Sequence, residues 1–452
     1  MFGKGGENLM RQEEKNIGFN GLSVLSAPKK AFKKIKRKIR ERKRVKHLES
    51  YHVRYRSKIK VLKKKVSENN QKIKVAFLVM FDSMFAAKPL FEKMLKDDLF
   101  DPFILVIPNR TWGHQLEFYN LKKTYNRFVE LYGGNYVVCA YCENSKRLVD
   151  YASGVDIAVF VNPYDPMTYD AYTIRHYARK QVLPIYINYG MISDACYAKE
   201  YIIATEALSL CWKVFADTKD NVKDFCQYSI LKGRNVVLSG YCKMDGLAYV
   251  KKKKSERKKI ILAPHHTVEI FLLPLSNFLI YCDFFLELPQ KYPQIDWVFR
   301  PHPRLFFALS RENMGMWGKE RAEAYKKKIS SFPNVEYQEG GDYFETFVNA
   351  DAMIHDCGSF MMEYLYTGNP CLYLLRSKQA IKETFAPIGQ RCLDHYYQAF
   401  NKQDIIDFIE NIVLKENDPM KDKRIKFAKE EIMINYPHVA EFILNDIKRE
   451  LT

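Results

Sequence analysis

Three short stretches in the C-terminal half carry residue types suited to chemistry on an anion. "ILAPHHTVE" (261–269) places His265 and His266 directly after an apolar run, and "VFRPHPRL" (298–305) places Arg300, His302 and Arg304 after another. "ADAMIHDCGSFMMEYLYTGNPCLYLL" (350–375) places His355, Asp356, Gly358 and Ser359 between an apolar run and a helical pattern. Asp356 and Ser359 can accept backbone N–H groups at a helix start, and Gly358 lets the main chain approach a ligand closely. Unpaired amides at such a helix start favour a phosphate. Two arginines and a histidine on one strand end, stiffened by Pro301 and Pro303, suit a diphosphate. A plain capped turn and a structural histidine fit the same residues. His265 and His266 are adjacent, but no carboxylate or third histidine stands at ligand spacing in the sequence, so no metal site is assigned.

The elements that must position these residues alternate. Apolar runs of buried-strand type begin with "KIKVAFLVMF" (72–81) and recur to about residue 241, with helical patterns between most of them. After the charged run "KKKKSERKK" (251–259) the alternation restarts and runs to "PCLYLL" (370–375). The expected fold is α/β: two doubly wound, Rossmann-like domains over 72–250 and 251–415 with a cleft between, then C-terminal helices over 416–452 that return toward the first domain. Residues 1–28 read as disordered, and 29–71 as a basic helical arm and linker. Ligands of open parallel sheets bind at the carboxyl ends of strands. The four histidines 265, 266, 302 and 355 should therefore meet in one cleft.

The net charge of +19 is local. Residues 29–65 hold 19 Lys/Arg against two Asp/Glu, whereas the rest of the chain holds 53 against 51. Phe32, Ile35 and Ile39, with Leu48, Tyr51 and Tyr55, read as one apolar stripe on a cationic helix. Lys33, Lys34, Lys36, Arg37, Lys38 and Arg40 are its candidate membrane-binding residues, each adding about 1 kcal/mol of attraction at an anionic surface. Interleaved Tyr51 and Tyr55 leave a nucleic-acid-binding alternative, although a near-neutral body argues against it. No secretory signal and no transmembrane span are apparent. The best span candidate, 270–285, is interrupted by Pro274, Asn277 and Asp283. A cytoplasmic protein with reduced thiols is expected, and the Cys139/Cys142 pair has no second pair at zinc spacing.

Across about 180–380 these motifs resemble the bacterial CDP-glycerol glycerophosphotransferases, the teichoic-acid-type polymerases and primases. The resemblance rests on "RPHP", on Asp351, Asp356, Ser359, Glu363, Pro370 and Tyr373, and on Gly240 and Asp245 in "NVVLSGYCKMDGL". It implies the two-domain GT-B glycosyltransferase fold, a CDP-polyol donor (glycerol or ribitol) and a membrane-linked glycan or polyol-phosphate acceptor, with CMP released. It also implies a place in teichoic-acid-like or capsular polymer synthesis, on the inner face of the membrane. Donor binding would then fall to Arg300, His302, Arg304, Asp356, Gly358, Ser359 and Glu363. No cofactor is implied, although a divalent cation is compatible. Where the family carries Trp-His-Gly, its proposed base, this chain has Tyr189 before Gly190, so Tyr189, His265, His266 and Asp82 all stand as candidates for the base. The alternatives are a GT-B transferase using a nucleotide-sugar and a family member that binds donor without transferring it.

Overall fold

A computed structural model describes residues 26–193, 199–268, 274–311 and 314–452, with the side chains of 26–31, 33, 112, 114 and 115 outside that set. The stretch expected to be disordered lies outside the described residues up to residue 25, while residues 26–28 open a helix.

Two parallel sheets form the body. The first comprises β1 (Ile73–Val79), β2 (Phe100–Val106), β3 (Val137–Cys139), β6 (Ile157–Phe160), β7 (Leu183–Ile187), β8 (Lys213–Ala216) and β9 (Val236–Leu238), in the order 3-2-1-6-7-8-9. A small hairpin, β4 (Tyr141–Cys142) with β5 (Arg147–Leu148), stands apart from it. The second comprises β10 (Lys259–Ala263), β11 (Asp296–Phe299), β12 (Val335–Tyr337), β13 (Ala352–His355), β14 (Cys371–Leu374) and β15 (Tyr397–Ala399), in the order 12-11-10-13-14-15. Central strands such as "IAVF" and "AMIH" are buried at every position because helices cover both faces. Each order reverses once, between β1 and β6 and between β10 and β13, and such switch points leave a crevice at the carboxyl edge. The chain is therefore two Rossmann-like domains preceded by a helix.

The last helix, Val439–Leu451, packs on the first domain. Asp245 accepts from the Val439 and Ala440 amides (3.1 and 2.7 Å), and Lys213 pairs with Asp446 at 2.7 Å. Gly240, at φ 87°, is required here, since a Cβ would lie 2.0 Å from the Ile434 carbonyl oxygen.

The basic helix, Ser26–Ser67, divides by burial. Within residues 26–49 Phe32, Ile35 and Ile39 are exposed, as are Lys34, Lys36, Arg37, Lys38 and Arg40; the Lys33 side chain lies outside the described residues. From residue 50 onward the helix is part of the body. Tyr51, Tyr55 and Leu62 are buried, and the Tyr55 hydroxyl donates to the Leu210 carbonyl at 2.6 Å. The single stripe read from the sequence is thus corrected: Tyr51 and Tyr55 serve packing, which also removes them as base-stacking residues. Lys58 and Lys65 reach Asp156 at 2.9 and 2.6 Å, and the Lys74 amide donates to the same carboxylate.

Burial works to raise the Asp156 pKa, but the bonds from Lys65, Lys58 and the Lys74 amide outweigh it and hold the carboxyl below its usual range. A depressed folded value stabilises above the unfolded carboxyl pKa and is lost as pH falls through the folded one. Asp156→Asn should therefore cost about 2–4 kcal/mol at pH 7. The gap from wild type in denaturant melts should close as pH drops below about 4.

Candidate functional site

The carboxyl edge of the second sheet gathers most of the singled-out residues. His265 and His266 follow β10, His302 follows β11, and the three rings meet: centroids are 4.3 Å apart for 265–266, 5.0 Å for 265–302 and 4.0 Å, stacked, for 266–302. Burial, reinforced by the neighbouring rings, pushes His265 well below its ordinary pKa. Burial and then the Arg304 and Arg311 charges bring His266 to about 3. Burial, His266 and Arg304 likewise depress His302. At neutral pH the cluster is three uncharged imidazoles.

The third histidine missing from the linear spacing is thus supplied by the fold, and nitrogens of all three lie within 4.8 Å of one another. That spacing could gather a metal ion, but two features favour an anion. The Arg304 amide donates to His302 Nδ1 (3.1 Å), so the ring proton sits on Nε2 and that nitrogen is a donor, not a ligand. The charges of Arg304 and Arg311 also act on the cluster, which repels a dication and attracts a phosphate.

Several donor-binding assignments are corrected. Asp356 is fully buried, and its carboxylate accepts from the His265 amide (2.6 Å) and the Asn277 amide (2.5 Å). Burial raises its pKa to about 7 against those bonds. It braces the loop after β10 and the start of helix Phe278–Lys291, and has no face left for a ligand. Arg300 is also committed, donating to the Gln338 side chain (2.8 Å) and to the Gly340 and Gly341 carbonyls (2.7 and 2.8 Å). Glu363 is buried and accepts from the Tyr343 hydroxyl. His355 is sealed in the core against Tyr373 and Tyr396, so it does not join the other three histidines. The helix after the elbow, Gly358–Glu363, runs on as a tighter helical turn over Tyr364–Thr367 and stops at the left-handed Gly368.

The elbow instead marks where the domains meet. The Gly358 carbonyl accepts from the Ser193 hydroxyl at 3.1 Å, and a Cβ on Gly358 would lie 3.1 Å from that oxygen. A Cβ on Gly190 would come 3.5 Å from the Ser359 Cβ, which puts Ser359 beside the Tyr189–Gly190 turn after β7. The Tyr189 carbonyl accepts from the Tyr241 hydroxyl at 2.7 Å. Asp82 is exposed at the end of β1, where its carboxylate caps the Ser83 amide.

Two residues escaped the sequence reading. Arg376 follows β14 as Arg300 follows β11; it donates to the Ser276 carbonyl (2.8 Å), and its Nε is buried without a partner. A cation directly after an apolar run was the signal. Lys243, in the segment that carries Gly240 and Asp245, reaches the Ser83 carbonyl at 3.1 Å. Only the tertiary structure places it at the domain junction.

No family model and no curated protein sequence matches this chain. Solved structures do. Wall teichoic acid polymerase TagF soaked with CDPG aligns at TM-score 0.55 and 12% identity, covering 92% of this chain and 98% of that one. UDP-GlcNAc 2-epimerase from Neisseria meningitidis bound to UDP-GlcNAc aligns at 0.52 and 13%, covering 84% and 100%. S. aureus MnaA with UDP aligns at 0.51 and 14%, covering 84% and 98%. These likenesses define the fold as GT-B type.

Binding and bracing residues should separate under mutation. Asp356→Ala should lose about 2–4 kcal/mol of stability, since two buried amides lose their acceptor. His302→Ala should cost less than about 1 kcal/mol in melts yet abolish diphosphate binding by calorimetry.

Proposed function

We propose that this chain transfers a polyol-phosphate from a CDP-polyol to a hydroxyl of a membrane-linked acceptor, releasing CMP, as in teichoic-acid-like or capsular polymer synthesis. The observation that carries the reading is the uncharged His265/His266/His302 cluster beside Arg304 at the second sheet's carboxyl edge. His302 Nε2–H donates to a diphosphate oxygen, and Arg304 supplies charge. Charge-assisted bonds of this kind contribute about 1.5–3 kcal/mol each. The likeness to TagF supports the reading at the level of fold.

In the proposed step the acceptor oxygen bonds the β-phosphorus while the bridging P–O bond breaks. CMP leaves with the bridging oxygen, and the hydroxyl proton passes to a base. His265 and His266 are held at low basicity by burial, so Asp82, an exposed carboxylate on the first domain's edge, is the favoured base. Positioning and charge stabilisation supply most of the rate in such transfers. No step calls for a metal. The second reading, a GT-B enzyme acting on a nucleotide-sugar, draws on the likeness to structures holding UDP-GlcNAc and UDP.

A donor screen decides between them. Incubation with CDP-glycerol, CDP-ribitol and UDP-GlcNAc should release CMP from a CDP-polyol, at a rate unchanged by EDTA; release of UDP alone would transfer the case to the second reading. Asp82→Asn should lower kcat about a hundredfold.

The exposed residues of the basic helix, Phe32, Ile35 and Ile39 among Lys34, Lys36, Arg37, Lys38 and Arg40, fit attachment to an anionic bilayer, the apolar three entering the headgroup region. No helix among the described residues is long and apolar enough to cross a membrane. Removing residues 1–46 leaves Tyr51, Tyr55 and Leu62 in place. That truncation should weaken sedimentation with anionic vesicles at least about tenfold, and high salt should do the same to the full chain. Undiminished binding would refute the attachment.

A further inference from the structure

Lys243 lies in the helical segment Cys242–Tyr249, which closes the first domain. Its ammonium donates to the Ser83 carbonyl (3.1 Å), just beyond the end of β1, and stands 4.5 Å above the Tyr343 ring in the second domain. One side chain therefore touches both halves of the junction. The Arg300 guanidinium lies 5.4 Å from the same ring, and the Tyr343 hydroxyl donates to Glu363.

The charge balance at this lysine is incomplete. An ammonium carries three donors, and the Ser83 carbonyl is the single hydrogen-bond acceptor found for it among the described residues. Burial opposes its charged form first, while Glu363, Asp342 and Asp82 favour it through space and Arg300 opposes it. None of those carboxylates forms an ion pair with it among the described residues. A half-buried cation without a paired anion is costly, and it stands where the acceptor side of the fold meets the donor side.

We infer that Lys243 is a phosphate-contacting residue, its two unspent N–H groups taking oxygens of the donor's diphosphate as the phosphoryl group crosses between the domains. Glu363 and Asp342 keep the ammonium charged without occupying it. Tyr343 fixes its height with a cation–π contact. A lysine suits this place because its compact charge can follow a moving phosphoryl group. The assignment rests on the transfer reading proposed above.

Calorimetry of the full chain with CDP, UDP, inorganic pyrophosphate and cytidine tests it. Lys243→Met should weaken pyrophosphate and nucleoside-diphosphate binding at least about tenfold, leave any cytidine binding unchanged, and lower turnover further still. Lys243→Arg should stay within a few-fold of wild type. Because Lys243→Met leaves Glu363 without its compensating charge, the K243M/E363Q double variant serves as the neutral control if the single variant melts early. Wild-type affinity for pyrophosphate in either neutral variant overturns the assignment and leaves the transfer reading standing. Failure of the wild-type protein to bind any of the diphosphates sinks the transfer reading and this assignment with it.

Discussion

Asp356 directly follows β13 with its carboxylate out of reach of water, and both oxygens are spent on the amides of His265 and Asn277. A buried carboxylate cannot lose such partners without a large desolvation penalty. The loop after β10 is consequently fixed in register with β13. The same carboxylate holds the first residue before helix Phe278–Lys291, and the Asn277 side chain carries the link on to the Leu374 carbonyl of β14. Three neighbouring strand ends are therefore tied to one point. His265 and His266 stand where they do because the backbone beneath them is pinned.

What that brace presents is a cluster of three histidine rings. The imidazoles are uncharged because burial and mutual proximity disfavour their protonation. His302 is left with an Nε2–H, and the charges of Arg304 and Arg311 bear on the His266 ring beside it. A neutral ring costs far less to bury than an imidazolium. Arg300 plays the opposite part: its guanidinium is satisfied by Gln338, Gly340 and Gly341, and it shapes the loop after β12.

The junction between the domains is polar as well as close. Ser193 bonds the Gly358 carbonyl, and its own carbonyl accepts from the Ala386 amide at 2.9 Å. A Cβ on Gly389 would fall 2.4 Å from that carbonyl oxygen, so the approach depends on a glycine. In the first domain Asp217 accepts from the Asn188 side chain (3.0 Å), and burial lifts its pKa to about 8. The first domain thus meets the elbow with short side chains and bare backbone, while longer groups also bridge the two, Lys243 with Tyr343 and Arg391 with Asp220 at 2.8 Å.

The sequence by itself determined the two alternating domains and the strand ends carrying His265, His266 and His302, because continuous apolar runs of strand length force parallel strands covered on both faces. It also located the positive charge in the first helix. It could not separate contact from support. Asp356, Arg300 and Glu363 have the residue types of ligand-binding groups, yet each turns inward to satisfy buried amides, carbonyls or a phenol, and only the packed loops decide which way a strand-end side chain turns. His355 occupies a strand end like His302, but one is sealed by Tyr373 and Tyr396 while the other faces its neighbours. Lys243 gave no signal, because its significance comes from Ser83 and Tyr343, which are 160 and 100 positions away along the chain. Residue type and local pattern fix what a side chain can do; the distance closed by folding fixes which of those possibilities has a partner.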